Sequence, residues 1–307
     1  MSSTKVSIII AAYNAQNTLP RAIESSLSQI HDNTEIIVVD DCSTDNTLTI
    51  ANAYASKDKR VHVLQTSVNS GPGAARNQGI NNASGQWLTM LDADDWIAPD
   101  RIATLLYVAQ AHSVDMVIDS CWLADEKTGQ CYAARFRQLC SAYTQFNMDA
   151  EYFIRHGMGA TKPLLNASVV RDHGLMFSEN IRFGEDMLLY SQLLLAGMTC
   201  RFINKPTYFR TEARTSLSRH DRVTFLSELL HVLTLIAGQI STSKNGDTGL
   251  SNAIAYRQKI TEDALVSAQW KVWLLRHKQK AKPSFLSLPK LIRHLWHRNV
   301  RYSINPL

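Results

Sequence analysis

The sequence predicts an α/β protein with a doubly wound sheet over residues 1–218 and a helical region over 219–307. Two observations carry that expectation. Short β-branched runs alternate with segments of helical period, as they do where helices form the crossovers of a largely parallel sheet. The polar clusters Ala12-Tyr13-Asn14, Asp40-Asp41-Cys42-Ser43 and Asp92-Ala93-Asp94-Asp95 each follow a strand-like run, which is where open α/β sheets place their ligands.

The runs from Val6 to Ile10, Glu35 to Val39, Val61 to Leu64, Trp87 to Leu91 and Asp115 to Ile118 read as strands. Leu19, Ile23, Leu27 and Ile30 fall at helical spacing after Thr18 and Pro20, an N-cap and first-turn pair. Leu48, Ala51 and Ala55 repeat the pattern after Ser43 and Asp45, and a further helix is expected from Asp100. Trp122 to Asn147 has mixed polarity and no sustained period, so only connections and edge strands are expected there. A helix starting near Glu185 carries Met187, Leu188, Leu189, Leu193, Leu194 and Leu195 and ends at Gly197. Arg201-Phe202-Ile203 and Tyr208-Phe209-Arg210 read as two short strands. After Ser218 the pattern is helical to about His277, broken by a loop at Lys244-Asn245-Gly246-Asp247.

The 307 residues contain no run of ~20 uninterrupted apolar side chains, so no membrane-spanning helix is expected. Lys5 leads straight into Val6, without the long apolar region of a signal peptide, and a cytoplasmic location is expected. Cys42, Cys121, Cys131, Cys140 and Cys200 form an odd set without a C-x-x-C pair, and read as reduced thiols. The net charge of +5 is uneven, because residues 264–307 hold nine Lys or Arg and no Asp or Glu. Within that tail, Leu288, Leu291, Ile292, Leu295 and Trp296 fall on one helical face, with Lys290, His294, His297, Arg298 and Arg301 opposite. A basic amphipathic helix of this kind lies in an anionic membrane surface, with residues 276–301 as the contact, or else packs its stripe on the preceding domain. No aromatics interleave with the cations as a base-stacking platform requires, so nucleic acid is not an expected partner.

Asp92-Ala93-Asp94-Asp95 packs three carboxylates at a strand tip, where they repel one another unless a cation or proton is shared. Oxygen-only ligands favour Mg²⁺ or Mn²⁺ over zinc, and such ions complete their shell with water and substrate phosphates. Glu185-Asp186 has two readings in isolation: a favourable acidic first turn of a helix, or a catalytic pair. Gly71-Pro72-Gly73 is a fragment of a dinucleotide fingerprint, but Arg76 stands where the third glycine belongs.

Taken together, Val6 to Asn14, Val39 to Asp45, Asn69 to Gly79, Leu91 to Asp95 and Gly184-Glu185-Asp186 resemble the family 2 inverting glycosyltransferases of the GT-A fold. The resemblance covers roughly residues 5 to 218, and order and spacing both match. It implies a mixed doubly wound sheet that binds a nucleotide sugar, with a helical extension. Asp41 would receive the base of a UDP-sugar, and Ala12, Tyr13, Ser70, Arg76, Asp92 and Ala93 would line the donor site. Asp94, helped by Asp92, would hold Mg²⁺ or Mn²⁺ on the diphosphate. Asp186, with Glu185 beside it, would take the proton of the acceptor hydroxyl. One displacement inverts the anomeric carbon. The acceptor would be a saccharide, lipid-linked at the inner face of the cytoplasmic membrane, in exopolysaccharide, capsule or lipopolysaccharide synthesis.

The sequence departs from the family where Ala11 replaces Pro, where Cys42 replaces Gly, and where no His follows Tyr208-Phe209-Arg210; Glu212, Arg214 and His220 are the nearby alternatives. Two other readings compete. A dehalogenase-type phosphatase places its Asp-x-Asp on the first strand, which this chain does not. A non-catalytic nucleotide-sugar-binding protein needs Asp41 and Asp94 but not Asp186.

Overall fold

The computed structural model describes residues 4–126, 128–136, 145–212, 221–241 and 248–277. Ten strands form one sheet: β1 (Val6–Ala12), β2 (Thr34–Asp40), β3 (Val61–Gln65), β4 (Trp87–Asp92), β5 (Trp96–Ile97), β6 (Met116–Asp125), β7 (Cys131–Arg135), β8 (Gln145–Asn147), β9 (Leu164–Asn166) and β10 (Cys200–Glu212). Their order is β3-β2-β1-β4-β9-β6-β10-β5, with β7 on β6 and β8 on β10. The strands β3, β2, β1 and β4 run parallel, whereas β9 enters antiparallel between β4 and β6.

The helices are α1 (Leu19–Leu27), α2 (Thr47–Ala55), α3 (Gly71–Asn82), α4 (Arg101–His112), α5 (Ala150–His156), α6 (Ala167–His173), α7 (Glu185–Leu195), α8 (Arg222–Ser241) and α9 (Thr248–His277). They cover both faces of the sheet. Ile8 and Ile10 of β1 share one apolar cluster with α1 and α4, whereas Ile9 lies against Gly79 of α3 in a second cluster that includes α7 and α8, because successive strand residues point to opposite faces. Burial on both sides explains why β1 and β2 read as continuous apolar runs. Val232, Leu233, Ile236, Ile240, Leu250 and Ile254 of α8 and α9 belong to the same apolar cluster as Ile9. The stretch Arg222–Ile240 is long and apolar enough to cross a membrane by length and composition, a feature the search for uninterrupted apolar runs missed.

Three sequence expectations are corrected. Residues 200–212 form one strand, not two; the ladder to β6 shifts between Ile203 and Tyr208, around Pro206, which has no N–H to donate. Ile30 lies beyond α1 and is 69% exposed. Helix α3 was not foreseen, since its glycines have poor helix propensity. Close packing explains them: a Cβ on Gly79 would sit 2.4 Å from Ile9 Cγ2, and one on Gly73 2.8 Å from the Ser178 carbonyl oxygen. The loop expected at 244–247 and the amphipathic stripe at 288–301 lie outside the described residues, as does Cys140; the other four cysteines are free thiols.

Candidate active site

The carboxyl ends of β1, β2 and β4 and the N-terminus of α7 bring the sequence-predicted residues together. Asp92, Asp94 and Asp95 present carboxylate oxygens within 4.8 Å of one another. Their environments differ. Asp92 Oδ1 accepts from Arg76 Nη2 at 2.9 Å, and its Oδ2 lies 3.1 Å from Lys162 Nζ. Burial alone would raise its pKa, but the charges of Lys162 and Arg76 hold it well below the usual carboxylate range.

Asp95 is buried and accepts from the Tyr208 hydroxyl at 2.6 Å and from the Thr211 N–H at 2.7 Å. Its role is to anchor the loop. Asp94 alone is exposed, while its carbonyl accepts from Arg21 Nη2 at 2.6 Å and from the Thr211 hydroxyl. The Arg21 guanidinium lies 3.8 Å over the Trp96 ring, which in turn stacks on Phe209. Loss of water at the crowded strand tip, then the repulsion of neighbouring carboxylates, raises the pKa of both Asp94 and Asp95, although Asp94 keeps solvent access. Crowded acids of this kind suit a divalent cation, with Asp94 offering the accessible oxygens and Asp92 the lone pairs that its cationic partners leave.

Gly184, at φ +89°, turns the chain into α7 and sets Glu185 and Asp186 in its first turn. Glu185 Oε1 accepts from Arg76 Nη1 at 2.6 Å. Asp186 Oδ2 accepts from Lys162 Nζ at 2.6 Å, and its buried Oδ1 has no hydrogen-bond partner among the described residues. Burial and the charge of Asp186 raise the pKa of Glu185.

Lys162 is the residue that sequence reasoning missed. It belongs to no motif, and its one signal is a lone cation ahead of the apolar pair Leu164-Leu165. Its carbonyl accepts from Arg101 Nη2 at 2.5 Å; Arg101 is fully buried and donates two bonds of 3.0 Å to Asp119. The Thr207 hydroxyl completes the Asp119 carboxylate at 2.6 Å.

At the tip of β2, Asp41 Oδ1 accepts from the Thr66 hydroxyl and the Ser70 N–H, and its Oδ2 from the Gly71 N–H at 2.7 Å. The carboxylate thus closes the N-terminus of α3 and retains one lone pair on Oδ2. The Asp41 N–H donates to the Ala12 carbonyl, so the tips of β1 and β2 are tied, and the Tyr13 ring beside them is 50% exposed. Asn14 and Cys42, at φ +49° and +57°, make the tight turns. Ala93 is buried. Glu212 accepts from the Tyr132 hydroxyl at 2.5 Å and is not one of the three converging acids; Arg214 and His220 lie outside the described residues.

The chain is 32% identical over 232 residues to the succinoglycan biosynthesis protein ExoO of Rhizobium meliloti (strain 1021), covering 73% of this chain and 66% of that one. Among such relatives the share of their own length that it spans ranges from 30% to 67%. The fold matches S. aureus TarS 1-349 in complex with UDP-GlcNAc at a TM-score of 0.67 and 21% identity, over 96% of this chain and 79% of that one. The mannosyltransferase PcManGT from Pyrobaculum calidifontis, in complex with GDP-Man and Mn2+, matches at a TM-score of 0.61 and 16% identity, over 95% and 83% of the two chains. The architecture is therefore that of the GT-A glycosyltransferases. The family described as glycosyl transferase family 2 matches residues 7–174, more than half of the sequence, and the chain belongs to it.

Proposed function

We propose that the protein is an inverting, divalent-metal-dependent glycosyltransferase that moves a sugar from a UDP-sugar to a hydroxyl of a saccharide acceptor in polysaccharide synthesis. The observation that carries this reading is Asp186 Oδ1, a buried acceptor that receives no hydrogen bond and has Arg76 Nη1 only at 3.5 Å, set in the same ionic network as Asp92 at the tip of β4. A helix-capping acid has no need of a buried, half-satisfied carboxylate; a base for a hydroxyl does.

In this reading, Tyr13 stacks on the uracil and the free lone pair of Asp41 accepts its imide N–H. Arg76, buried against three carboxylates, fixes Asp92 and Glu185 without moving itself. Asp94 and Asp92 would hold Mg²⁺ or Mn²⁺, which would supply positive charge to offset that developing on the departing diphosphate. Asp186 takes the acceptor proton as the hydroxyl attacks the anomeric carbon from the face opposite the leaving group. An α-linked donor then gives a β-linked product. The acceptor is read as lipid-linked, with the basic residues 276–301 holding the enzyme on anionic lipid at the inner face of the cytoplasmic membrane.

The test is a thermal-shift panel of nucleotide sugars with and without Mn²⁺, since a bound ligand stabilises the folded state by mass action. Metal-dependent stabilisation by UDP-sugars above GDP-sugars is expected. Equal stabilisation by both nucleotides removes the base assignment to Asp41, and product of retained configuration removes the single-displacement mechanism.

A further inference from the structure

Arg60, Arg76, Arg101 and Arg155 each pair with a carboxylate. Arg135, Arg210 and Arg257 do not. All three are half-buried, and none is joined by a hydrogen bond or ion pair to another described residue. Arg210 feels the charges of Asp95 and Asp92 without pairing to either, and Arg135 and Arg257 have no ion pair; burying guanidinium groups without a paired counter-ion is unfavourable, so the trio marks a place built for an anion from outside.

Their positions converge on the site. Across β7, β6 and β10 the register sets Arg135, Cys121 and Tyr208 in one row, and Arg210 beside Leu123 two residues further on. Arg210 therefore shares a sheet face with Arg135 and with Tyr208, whose hydroxyl holds Asp95. Arg257 reaches in from α9 to lie over Gly157: a Cβ there would meet its Nη2 at 2.1 Å. Two residues on, Gly159 backs directly onto Met187, the neighbour of Asp186. The trio thus runs from the metal loop to the turn behind the base. Burial lowers the pKa of Arg135 and Arg257, and repulsion from Arg210 and Arg257 lowers that of Arg135 further. Glu212 is the one carboxylate that offsets this at Arg135, and it already accepts from Tyr132.

We propose that Arg135, Arg210 and Arg257 recognise a phosphate or diphosphate group on the acceptor. The inference rests on the glycosyl-transfer reading above and specifies its second substrate. Guanidinium forks match phosphoryl oxygens in geometry, and three of them suit a multiply charged diphosphate better than a single carboxylate. Arg257 lies over Gly157 at the end of α5, two residues before the glycine that backs onto Met187 of α7, and not at the nucleotide end by Asp41.

The experiment is calorimetric titration of the full chain with farnesyl diphosphate, inorganic pyrophosphate and farnesol, in EDTA so that the metal-dependent donor site contributes nothing. Farnesyl diphosphate is expected to bind and farnesol not; pyrophosphate binding as tightly as farnesyl diphosphate assigns recognition to the phosphoryl group alone. Arg135→Gln and Arg257→Gln should each weaken binding about tenfold or more, with Arg257→Lys recovering part of it and circular dichroism unchanged. Titration with UDP and Mn²⁺ is run in parallel and should be unaltered in these variants. Diphosphate binding that survives both substitutions overturns the proposal. So does an equal loss of UDP affinity, which reassigns the trio to the donor. Failure of the wild type to bind UDP and Mn²⁺ counts against the donor reading alone, because the EDTA titration is independent of it.

Discussion

Lys162 ties Asp92 to Asp186: its Nζ lies 3.1 Å from Asp92 Oδ2 and 2.6 Å from Asp186 Oδ2, so one buried ammonium bridges the tip of β4 and the first turn of α7. Removing one partner of a buried pair leaves uncompensated charge and costs about 3–5 kcal/mol. Lys162→Met should therefore lower stability in urea by that order. Mn²⁺ with UDP should restore part of it by supplying the missing positive charge. A variant as stable as the wild type without metal means the bridge contributes little.

Asp94→Ala should abolish Mn²⁺-dependent UDP binding and leave the fold intact, because the side chain is exposed and its loss relieves repulsion with Asp92 and Asp95. Calorimetric titration measures this. Wild-type affinity in the variant would sink the metal assignment.

Asp186→Asn should keep donor and metal affinity yet lose kcat by about two orders of magnitude or more, the scale of a general base. The amide retains shape but cannot accept the proton, which is the signature of an interaction made chiefly in the transition state. The measurement is transfer to an oligosaccharide or lipid-linked acceptor, with donor affinity determined separately. Near-normal kcat would pass the role to Glu185.

Glu35 offers a pH test far from the chemistry. Burial alone would raise its pKa, but donors from Lys5, Ser7 and Ser84 bring it down from the ordinary 4.5 to about 2. A depressed folded-state pKa contributes stability that is present above about 4.5 and lost as pH falls towards 2. Glu35→Gln should cost about 1–2 kcal/mol at neutral pH after solvent screening. Urea melts between pH 7 and 3 should show the gap closing as acid is added; a constant gap assigns the loss to packing.

Residues legible in the sequence were those whose chemistry clusters along the chain. Asp92, Asp94, Asp41 and Glu185-Asp186 stand at strand or helix tips, and the alternation of β-branched and helical runs located those tips. Lys162 and Arg101 were not legible, because each acts through partners distant in sequence: Arg101 reaches the Lys162 carbonyl 61 residues on. The same holds for α3, whose glycines argue against a helix until Ile9 and Ser178 are seen pressing against it. Periodicity records which face is buried, not what a side chain meets across the core.

The ion pair between Arg76 and Glu185 joins positions 109 residues apart. At ribosomal rates of about 5–20 residues per second, β1 to β4 and α3 emerge several seconds before α7 exists to receive the guanidinium. The nascent N-terminal half must wait with Arg76 without its Glu185 partner and with α3 alone against Ile9, until α7 and α8 arrive to complete the apolar cluster on that side of the sheet. Closure of the Arg76–Glu185 ion pair and completion of the core on that side are thus acquired in one late event. A chain arrested before Glu185 lacks the proposed base and leaves the apolar residues that α7 and α8 would cover exposed, so a truncated product is a target for chaperones and proteases.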